Sequence, residues 1–189
     1  NVIDTAINYR SQRSERSFRR ALQSLIREGT AKREELILCT KGGFIPFDGD
    51  FPKDPMEFFH KNYIASGILS PEDIAQTCHA MSPRFLEDQL TKSLKNLGLE
   101  TIDIYYLHNP ETQLSDFSRT EFLNRLRAAF QWAEEKVKEG KIQMYGMATW
   151  NGYRLEPESP DYLSLEEINV VAREVGGADN HFKAIQLPV

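Results

Sequence analysis

The sequence predicts an α/β fold, a (β/α)8 TIM barrel of which this chain supplies about five of eight strands, in one domain over residues 1–189. Short apolar runs alternate with amphipathic segments of helical period along the whole chain. Strands joined through helices must run parallel, because each crossover returns the chain to begin the next strand in the same direction. A closed barrel needs about 250 residues, so we expect one more strand before Asn1 and two after Val189. A flavodoxin-like sheet is the competing architecture.

The first part of the chain predicts two strands and one helix. Residues 1–4 and 36–40 are short apolar runs, which are typical of buried strands. Between them, apolar residues recur at helical spacing over 13–28. Gly29 is expected to end this helix in the left-handed conformation that favours glycine.

The middle of the chain predicts a second helix and a third strand. Apolar residues recur at helical spacing over 83–97, where Ser82 is the expected N-cap, Pro83 the first helical residue and Gly98 the stop. The apolar run 102–107 follows directly and is predicted to be a strand.

Two further helix–strand pairs complete the predicted pattern. A helix is expected over 119–139, closed by Gly140, and leads into a strand over 142–147. The last predicted helix covers 164–175 and the last strand 184–187.

A long insertion, residues 42–82, separates the second strand from the second helix. Ordinary strand–helix loops have about 6 residues, and much longer ones are commonly functional. Its aromatic and proline content suits a lid over a pocket at the catalytic face, whereas the alternative is an insertion packed on the barrel rim. Asn109, Trp150 and the loop 111–118 follow strands at the same predicted face and are candidate substrate-pocket residues.

Composition excludes several classes of partner. The net charge of -5 argues against nucleic acid and anionic membrane surfaces, which need a basic face. No stretch approaches the roughly 18 apolar residues of a membrane span. The two cysteines, Cys39 and Cys78, form no disulfide framework and indicate the cytoplasm. No motif indicates an oligomeric state. An arginine cluster on the first helix is predicted to be a solvated face; its members are Arg10, Arg13, Arg16, Arg19 and Arg20.

Ionisable residues follow three of the predicted strands. Asp4, Lys41 and His108 each come at or just after the end of an apolar run, and Tyr9 lies shortly after Asp4. Because the carboxyl ends of parallel strands face one way in a barrel, these side chains are predicted to meet in one active site. Singly, they could be a turn cap, a rim aromatic, a solvated charge and a loop histidine, but their joint occurrence favours a site.

These residue types suit the addition of hydride and a proton to a carbonyl group. Hydride arriving at the carbon leaves charge on the oxygen, so the site needs a proton donor, for which we expect Tyr9. A lysine cation such as Lys41 makes a neighbouring phenol a stronger acid, and a carboxylate such as Asp4 keeps the ammonium charged. His108 is expected to hydrogen-bond the substrate oxygen. The remaining histidines show no metal-ligand spacing, so no metal is proposed; they are His60, His79 and His181.

Short motifs at five strand ends occur in register. They are Asp4-Thr5-Ala6 with Tyr9, Thr40-Lys41, Tyr106-Leu107-His108-Asn109-Pro110, Gly140-Lys141-Ile142 with Tyr145-Gly146, and Ile185-Gln186. Over essentially the whole chain, this pattern resembles the aldo-keto reductases. The resemblance implies a barrel that binds a nicotinamide cofactor without a Rossmann domain and reduces a small-molecule aldehyde or ketone, usually with NADPH. NADP is therefore the expected cofactor, and NAD is the alternative.

The resemblance also implies residues that bind the cofactor. Gln186 matches the family glutamine that holds the nicotinamide carboxamide, and Asp4 lies at the same site. Where the family has a serine–asparagine pair, this chain has Ala148 and Thr149. Thr149 could supply a hydroxyl, and Asn151 could substitute from two residues further on.

Two other classes of function remain open. One is a nicotinamide-nucleotide-binding sensor or interaction subunit without catalysis, which the Ala148 departure favours. The other is a Schiff-base aldolase using Lys41, although that lysine would have to be neutral and Asp4 opposes this.

Overall fold

The structure, a computed structural model, describes residues 1–188. Its five strands form one parallel sheet in the order β1-β2-β3-β4-β5. The strands are β1 (Val2–Asp4), β2 (Ile37–Gly42), β3 (Ile102–His108), β4 (Ile142–Ala148) and β5 (Phe182–Gln186). The helices are α1 (Arg13–Arg27), α2 (Pro55–Phe59), α3 (Pro83–Leu97), α4 (Arg119–Lys138) and α5 (Leu165–Gly176). Within residues 1–188, no helix is long and apolar enough to cross a membrane.

Each strand pairs with its neighbour in sequence, which is the order of strands around a barrel wall. A flavodoxin-like sheet would instead place the first strand between the second and the third. The fold is therefore the predicted partial (β/α) barrel. The strand register aligns the carboxyl ends, because Ala148 is paired with His108 on one side and with Gln186 on the other.

The main core lies between the sheet and helices α3, α4 and α5. Buried aromatic rings dominate it: Phe130 stacks on Phe182 with ring centroids 5.1 Å apart, and Tyr145 packs 5.0 Å from Phe130. On the opposite face of the sheet, the buried cluster is much smaller and contains Cys39 and Tyr106. The large core fixes the strands from outside and leaves their carboxyl ends free to form a site.

The predicted helix boundaries agree with the structure to within one residue at α1, α3, α4 and α5, and the predicted strand boundaries differ by at most two residues. β2 continues to Gly42, so Lys41 lies inside the strand, because pairing with β3 extends through Gly42 and Leu107. β5 begins at Phe182, whose ring packs into the core. Ser82 occupies the N-cap position of α3, but its hydroxyl makes no capping hydrogen bond.

The insertion 42–82 is folded and packs on the barrel rim. It contains α2, a π-helical turn over His60–Ile64 and a 3-10 turn over Pro71–Asp73. Its own apolar cluster centres on Tyr63, whose hydroxyl donates to the Pro46 carbonyl at 2.8 Å. Phe85 of α3 joins the same cluster and ties the insertion to the barrel.

The arginine cluster of α1 contacts the insertion. Arg13 pairs with Asp50, and Arg16 pairs with Asp48 at 2.6 Å, so these two arginines are not simply solvated as predicted. Both pairs are substantially exposed, and such pairs contribute little to stability. They position the insertion against α1 and add little to the stability of the barrel.

Candidate active site

A cavity of about 190 Å³ opens at the carboxyl ends of the strands. All four predicted catalytic residues line it, together with the predicted cofactor ligands Thr149 and Gln186. The complete lining is Asp4, Tyr9, Lys41, His108, Asn109, Ala148, Thr149, Trp150, Gln186, Leu187 and Pro188. The structure therefore brings these residues together around one cavity, which the substrate-pocket candidates Asn109 and Trp150 also line.

Lys41 is buried and paired with Asp4. Its side chain is 3% exposed, and Nζ donates to Asp4 Oδ2 at 2.7 Å and to the Thr5 carbonyl at 2.9 Å. The Asp4 carboxylate therefore compensates the charge that this buried ammonium carries away from water. An ammonium has three N–H donors, which leaves one for a group in the cavity.

Tyr9 lies across Lys41 at the cavity mouth. The Lys41 Nζ is 5.1 Å from the centre of the Tyr9 ring. Tyr9 is 39% exposed. The sequence predicts the lysine beside the phenol oxygen. In the structure it lies over the ring face, and within residues 1–188 no hydrogen bond reaches that oxygen.

A strained turn follows Tyr9. Arg10, Ser11 and Gln12 all have left-handed backbone angles, with φ of 51°, 53° and 69°. Such residues persist only where the surroundings determine them, and they cluster at active sites. Here the insertion supplies the restraint, because Gly49 N donates to the Ser11 carbonyl at 2.9 Å and Gln12 Nε2 to the Phe47 carbonyl at 3.1 Å.

His108 is a neutral imidazole at the end of β3. Burial, the Lys41 cation and His79 lower its pKa to about 3. Its ring meets the edges of Tyr9 and Phe44 at centroid distances of 5.7 Å and 5.0 Å. Its Nδ1 is buried and has no hydrogen-bond partner among residues 1–188. A neutral ring can donate one hydrogen bond to a substrate oxygen without adding a charge.

The low pKa of His108 predicts a pH-dependent stability. In the unfolded chain this histidine titrates near 6.5 and in the folded chain near 3, so the unfolded state binds the proton first. The stability that the neutral His108 contributes is fully present above pH 6.5 and is lost as the pH falls toward 3. Between pH 7 and pH 5 the loss from this group is about 2 kcal/mol. Urea unfolding at pH 7 and pH 5 measures how much the free energy of unfolding falls between the two pH values. This fall should be about 2 kcal/mol smaller in His108→Asn than in the wild type. An equal fall in both proteins would contradict a buried neutral His108.

Thr149 and Gln186 form another part of the cavity wall. Thr149 N donates to the Gln186 carbonyl at 3.0 Å, which fixes the two residues side by side. The Thr149 Oγ1 is buried and has no partner among residues 1–188. An unpaired buried hydroxyl is costly, and a carboxamide bound in the cavity would satisfy it. The residues therefore fit the nicotinamide group that the sequence resemblance implies.

Asn151 does not join this wall, which corrects the prediction that it helps to bind cofactor. Its side chain is exposed and outside the cavity. Glu111 fixes the backbone just before it, because this buried carboxylate accepts from Trp150 N at 2.9 Å. Trp150 is the last residue of this loop that lines the cavity.

The insertion contacts His108 but does not line the cavity. None of its residues from 43 to 82 lines the cavity. Phe44 packs against the His108 ring, and the buried His79 contacts the His108 backbone. This arrangement fits the predicted alternative of an insertion packed on the rim.

Comparison with known proteins identifies related sequences. The sequence model of the Aldo/keto reductase family matches residues 1–168. Prostaglandin F synthase 1 of Bos taurus is 29% identical over 109 residues, which are 51% of this chain and 34% of that protein. Aldo-keto reductase family 1 member C13 of Mus musculus is 26% identical over 163 residues, which are 82% of this chain and 39% of that protein.

Solved structures share the fold. The glycerol dehydrogenase of Gluconobacter oxydans superimposes with a TM-score of 0.59 at 21% identity, covering 100% of this chain and 41% of that one. An aldo-keto reductase complexed with NADPH has a TM-score of 0.57 at 21% identity, with the same two coverages of 100% and 41%. The chain thus spans about two fifths of the length of these proteins.

Proposed function

This chain belongs to the aldo/keto reductase family, and we propose that the complete protein reduces an aldehyde or ketone to an alcohol with a nicotinamide cofactor. The observation that carries the proposal is the cavity in which Tyr9, the Lys41–Asp4 ion pair and the neutral His108 face the same space. Membership of the family supports an oxidoreductase function. The proposal concerns the complete protein, because this chain spans about two fifths of the length of its solved relatives.

A bound nicotinamide nucleotide would supply the hydride. Asp4, Thr149 and Gln186 line the cavity and would hold its nicotinamide end, with Thr149 Oγ1 and the Gln186 amide pairing with the carboxamide. The complex of a relative with NADPH supports NADP as the cofactor. The residues that would distinguish NADP from NAD bind the adenosine end of the cofactor, so NAD is the alternative.

Tyr9 would deliver the proton. As a C–H bond forms at the carbonyl carbon, charge develops on the oxygen, and the Tyr9 hydroxyl transfers its proton there to give the alcohol. The phenolate that remains has the Lys41 ammonium over its ring, 5.1 Å from the ring centre, and the positive charge there stabilises it. Asp4 holds that ammonium in place through the 2.7 Å contact.

His108 would orient the substrate oxygen. Its neutral ring donates a hydrogen bond toward the developing negative charge, which is the role of a fixed donor in a site with little water. Because its pKa is about 3, it stays neutral over the working pH range and does not compete with Tyr9 as the acid.

Thr149→Val tests the cofactor assignment. The change keeps the shape and removes the only side-chain hydroxyl on that wall, so nicotinamide nucleotide binding should weaken by about 2- to 10-fold, the value of one neutral hydrogen bond. Isothermal titration of NADPH measures the Kd. Asn151→Ala, outside the cavity, is the control and should bind like the wild type; equal Kd values for all three proteins would show that Thr149 takes no part.

A sensor that binds cofactor without turnover is the second candidate. It is favoured by Ala148, which offers only backbone groups where the family has a serine. Carbonyl-dependent oxidation of NADPH by the complete protein, over a panel of aldehydes and ketones, separates the two. Oxidation supports the reductase, whereas NADPH binding without oxidation of any substrate supports the sensor.

The Schiff-base aldolase is disfavoured by the site geometry. A lysine nucleophile must be neutral, and here the Lys41 ammonium is buried against a carboxylate at 2.7 Å. Borohydride should therefore trap no carbonyl compound on Lys41.

The two free cysteines, buried Cys39 and exposed Cys78, support the cytoplasm as the location.

A further inference from the structure

We propose that His79, a buried histidine of the insertion, is a positioning residue that sets the orientation of the His108 imidazole. This proposal rests on the proposed function, because the role of His108 in carbonyl reduction gives its orientation a kinetic consequence. Nothing in the spacing of the sequence connects the two histidines. They meet only because the insertion folds back against the end of β3.

The ring of His79 has both of its nitrogens occupied. Its Nε2 is 2.8 Å from the His108 carbonyl oxygen, and that oxygen can only accept, so Nε2 carries the hydrogen. Its Nδ1 is 2.9 Å from the Gln113 Nε2, which can only donate, so Nδ1 accepts. One neutral tautomer satisfies both contacts, and it fixes the ring in place.

The other side of this contact is anchored in α4. Gln113 Oε1 accepts from Arg125 at 3.3 Å. Arg125 is itself held by Glu121 at 2.9 Å and by the carbonyls of Glu72 and Asp73 at 2.7 Å and 3.1 Å. A chain of hydrogen bonds therefore runs from α4 through the loop after β3 to His79 and the backbone of His108.

Burial keeps His79 in its neutral form. Its residue is 1% exposed, and loss of hydration lowers its pKa to about 4 despite the hydrogen bond to His108. Phe44 packs its ring against both histidines, with centroid distances of 5.2 Å to His79 and 5.0 Å to His108. The pattern of one donor and one acceptor is thus unchanged over the neutral pH range.

Two hydrogen bonds hold the peptide after His108, where β3 ends. Asn109 N donates to the Ala148 carbonyl of β4 at 2.6 Å, and the His108 carbonyl accepts from His79. Beyond this peptide the chain turns, since Asn109 has a left-handed φ of 46°. The Nδ1 of the His108 ring has no partner among residues 1–188 to orient it. The contacts that orient the ring are therefore its two aromatic neighbours, Tyr9 and Phe44, and the backbone that His79 and Ala148 hold.

Gly43 shows how closely His79 approaches the site. A Cβ at this position would lie 2.7 Å from the His79 Nε2 and 3.0 Å from the His108 oxygen. The backbone of Gly43 also has a φ of 143°, which favours glycine. Glycine at this point leaves the space in which the contact between the two histidines forms.

Steady-state kinetics of His79→Phe and His79→Gln test the proposal in the complete protein. The phenylalanine fills the space without a donor, so the His108 ring loses its fixed direction and kcat should fall by up to about 10²-fold, the effect of a small misplacement. NADPH binding should not change. Glutamine can place an N–H near the same carbonyl, so His79→Gln should recover part of kcat and also serves if His79→Phe fails to fold.

Tyr63→Phe is the matched control. It removes another buried hydrogen bond from a side chain of the insertion to a backbone carbonyl, but at Pro46, far from His108 in the bonding network. It should lower Tm and leave kcat unchanged. Equal losses of kcat in Tyr63→Phe and His79→Phe, or wild-type kcat in His79→Phe, would overturn the positioning role.

Nuclear magnetic resonance of the histidine ring nitrogens separates this proposal from the proposed function. If the wild-type protein reduces no carbonyl compound, the proposed function fails, but the ring signals still report on His108. They should shift in His79→Phe and not in Tyr63→Phe. Identical His108 signals in the wild type and in His79→Phe would refute the positioning role whatever the activity.

Discussion

Tyr9→Phe is expected to lower kcat for carbonyl reduction by about 10²- to 10⁴-fold, the contribution of a positioned proton donor. The substitution removes only the hydroxyl, so the ring keeps its contacts with Lys41 and His108 and the cavity keeps its shape. Cofactor binding should therefore stay at the wild-type Kd. Stopped-flow measurement of NADPH oxidation in a single turnover would isolate the chemical step from product release.

Tyr162→Phe is the control for that experiment. This tyrosine lies outside the cavity, so loss of its hydroxyl should leave kcat unchanged. Wild-type turnover in Tyr9→Phe would show that the proton comes from another group. The exposed position of Tyr9 at the cavity mouth is consistent with a residue that meets substrate directly.

Lys41→Met and Asp4→Asn are both expected to abolish most of the turnover, but they should differ in stability. Asp4→Asn leaves a buried cation unpaired, which costs up to about 3–5 kcal/mol. Lys41→Met leaves the Asp4 carboxylate, whose side chain is 33% exposed and can regain water, so it should cost less. Urea unfolding of the two variants at neutral pH measures the difference.

An exposed ion pair supplies the control for these stabilities. Glu174 pairs with Arg127 across α4 and α5, with side chains 48% and 36% exposed. Glu174→Gln should cost at most about 1 kcal/mol, as surface pairs do. If Asp4→Asn were no more destabilising than Glu174→Gln, the Lys41 ammonium would not depend on Asp4, and the role given to Asp4 would be wrong.

Much of the fold was predictable because it follows from local patterns. The apolar stripe over 83–97 matches α3 residue for residue, and Gly98 ends that helix with a φ of 69°. The strand ends also predicted that Asp4, Lys41 and His108 lie at one face, since parallel strands must present their carboxyl ends together. The strand ends were missed by one or two residues, most at β2 and β5, because pairing there depends on neighbouring strands.

The rest depends on contacts between distant parts of the chain. The bond from His79 to His108 spans 29 positions and that from Trp150 to Glu111 spans 39, and neither has a local signal. The sequence of the insertion was compatible with a lid and with an element packed on the rim. The apolar cluster around Tyr63, which favours the second, forms only on folding. Likewise, the position of Lys41 over the Tyr9 ring follows from how two strands and a turn pack together.

We infer that the Tyr9 phenol, the Lys41 ammonium and the Asp4 carboxylate act as one unit on one substrate. A double-mutant cycle on Tyr9→Phe and Lys41→Met, with kcat for NADPH-dependent carbonyl reduction as the readout, tests this cooperation. Residues that act as a unit are strongly non-additive, so the double variant should be about as slow as the slower single variant. A double variant slowed by the product of the two single effects would mean that the two residues act independently.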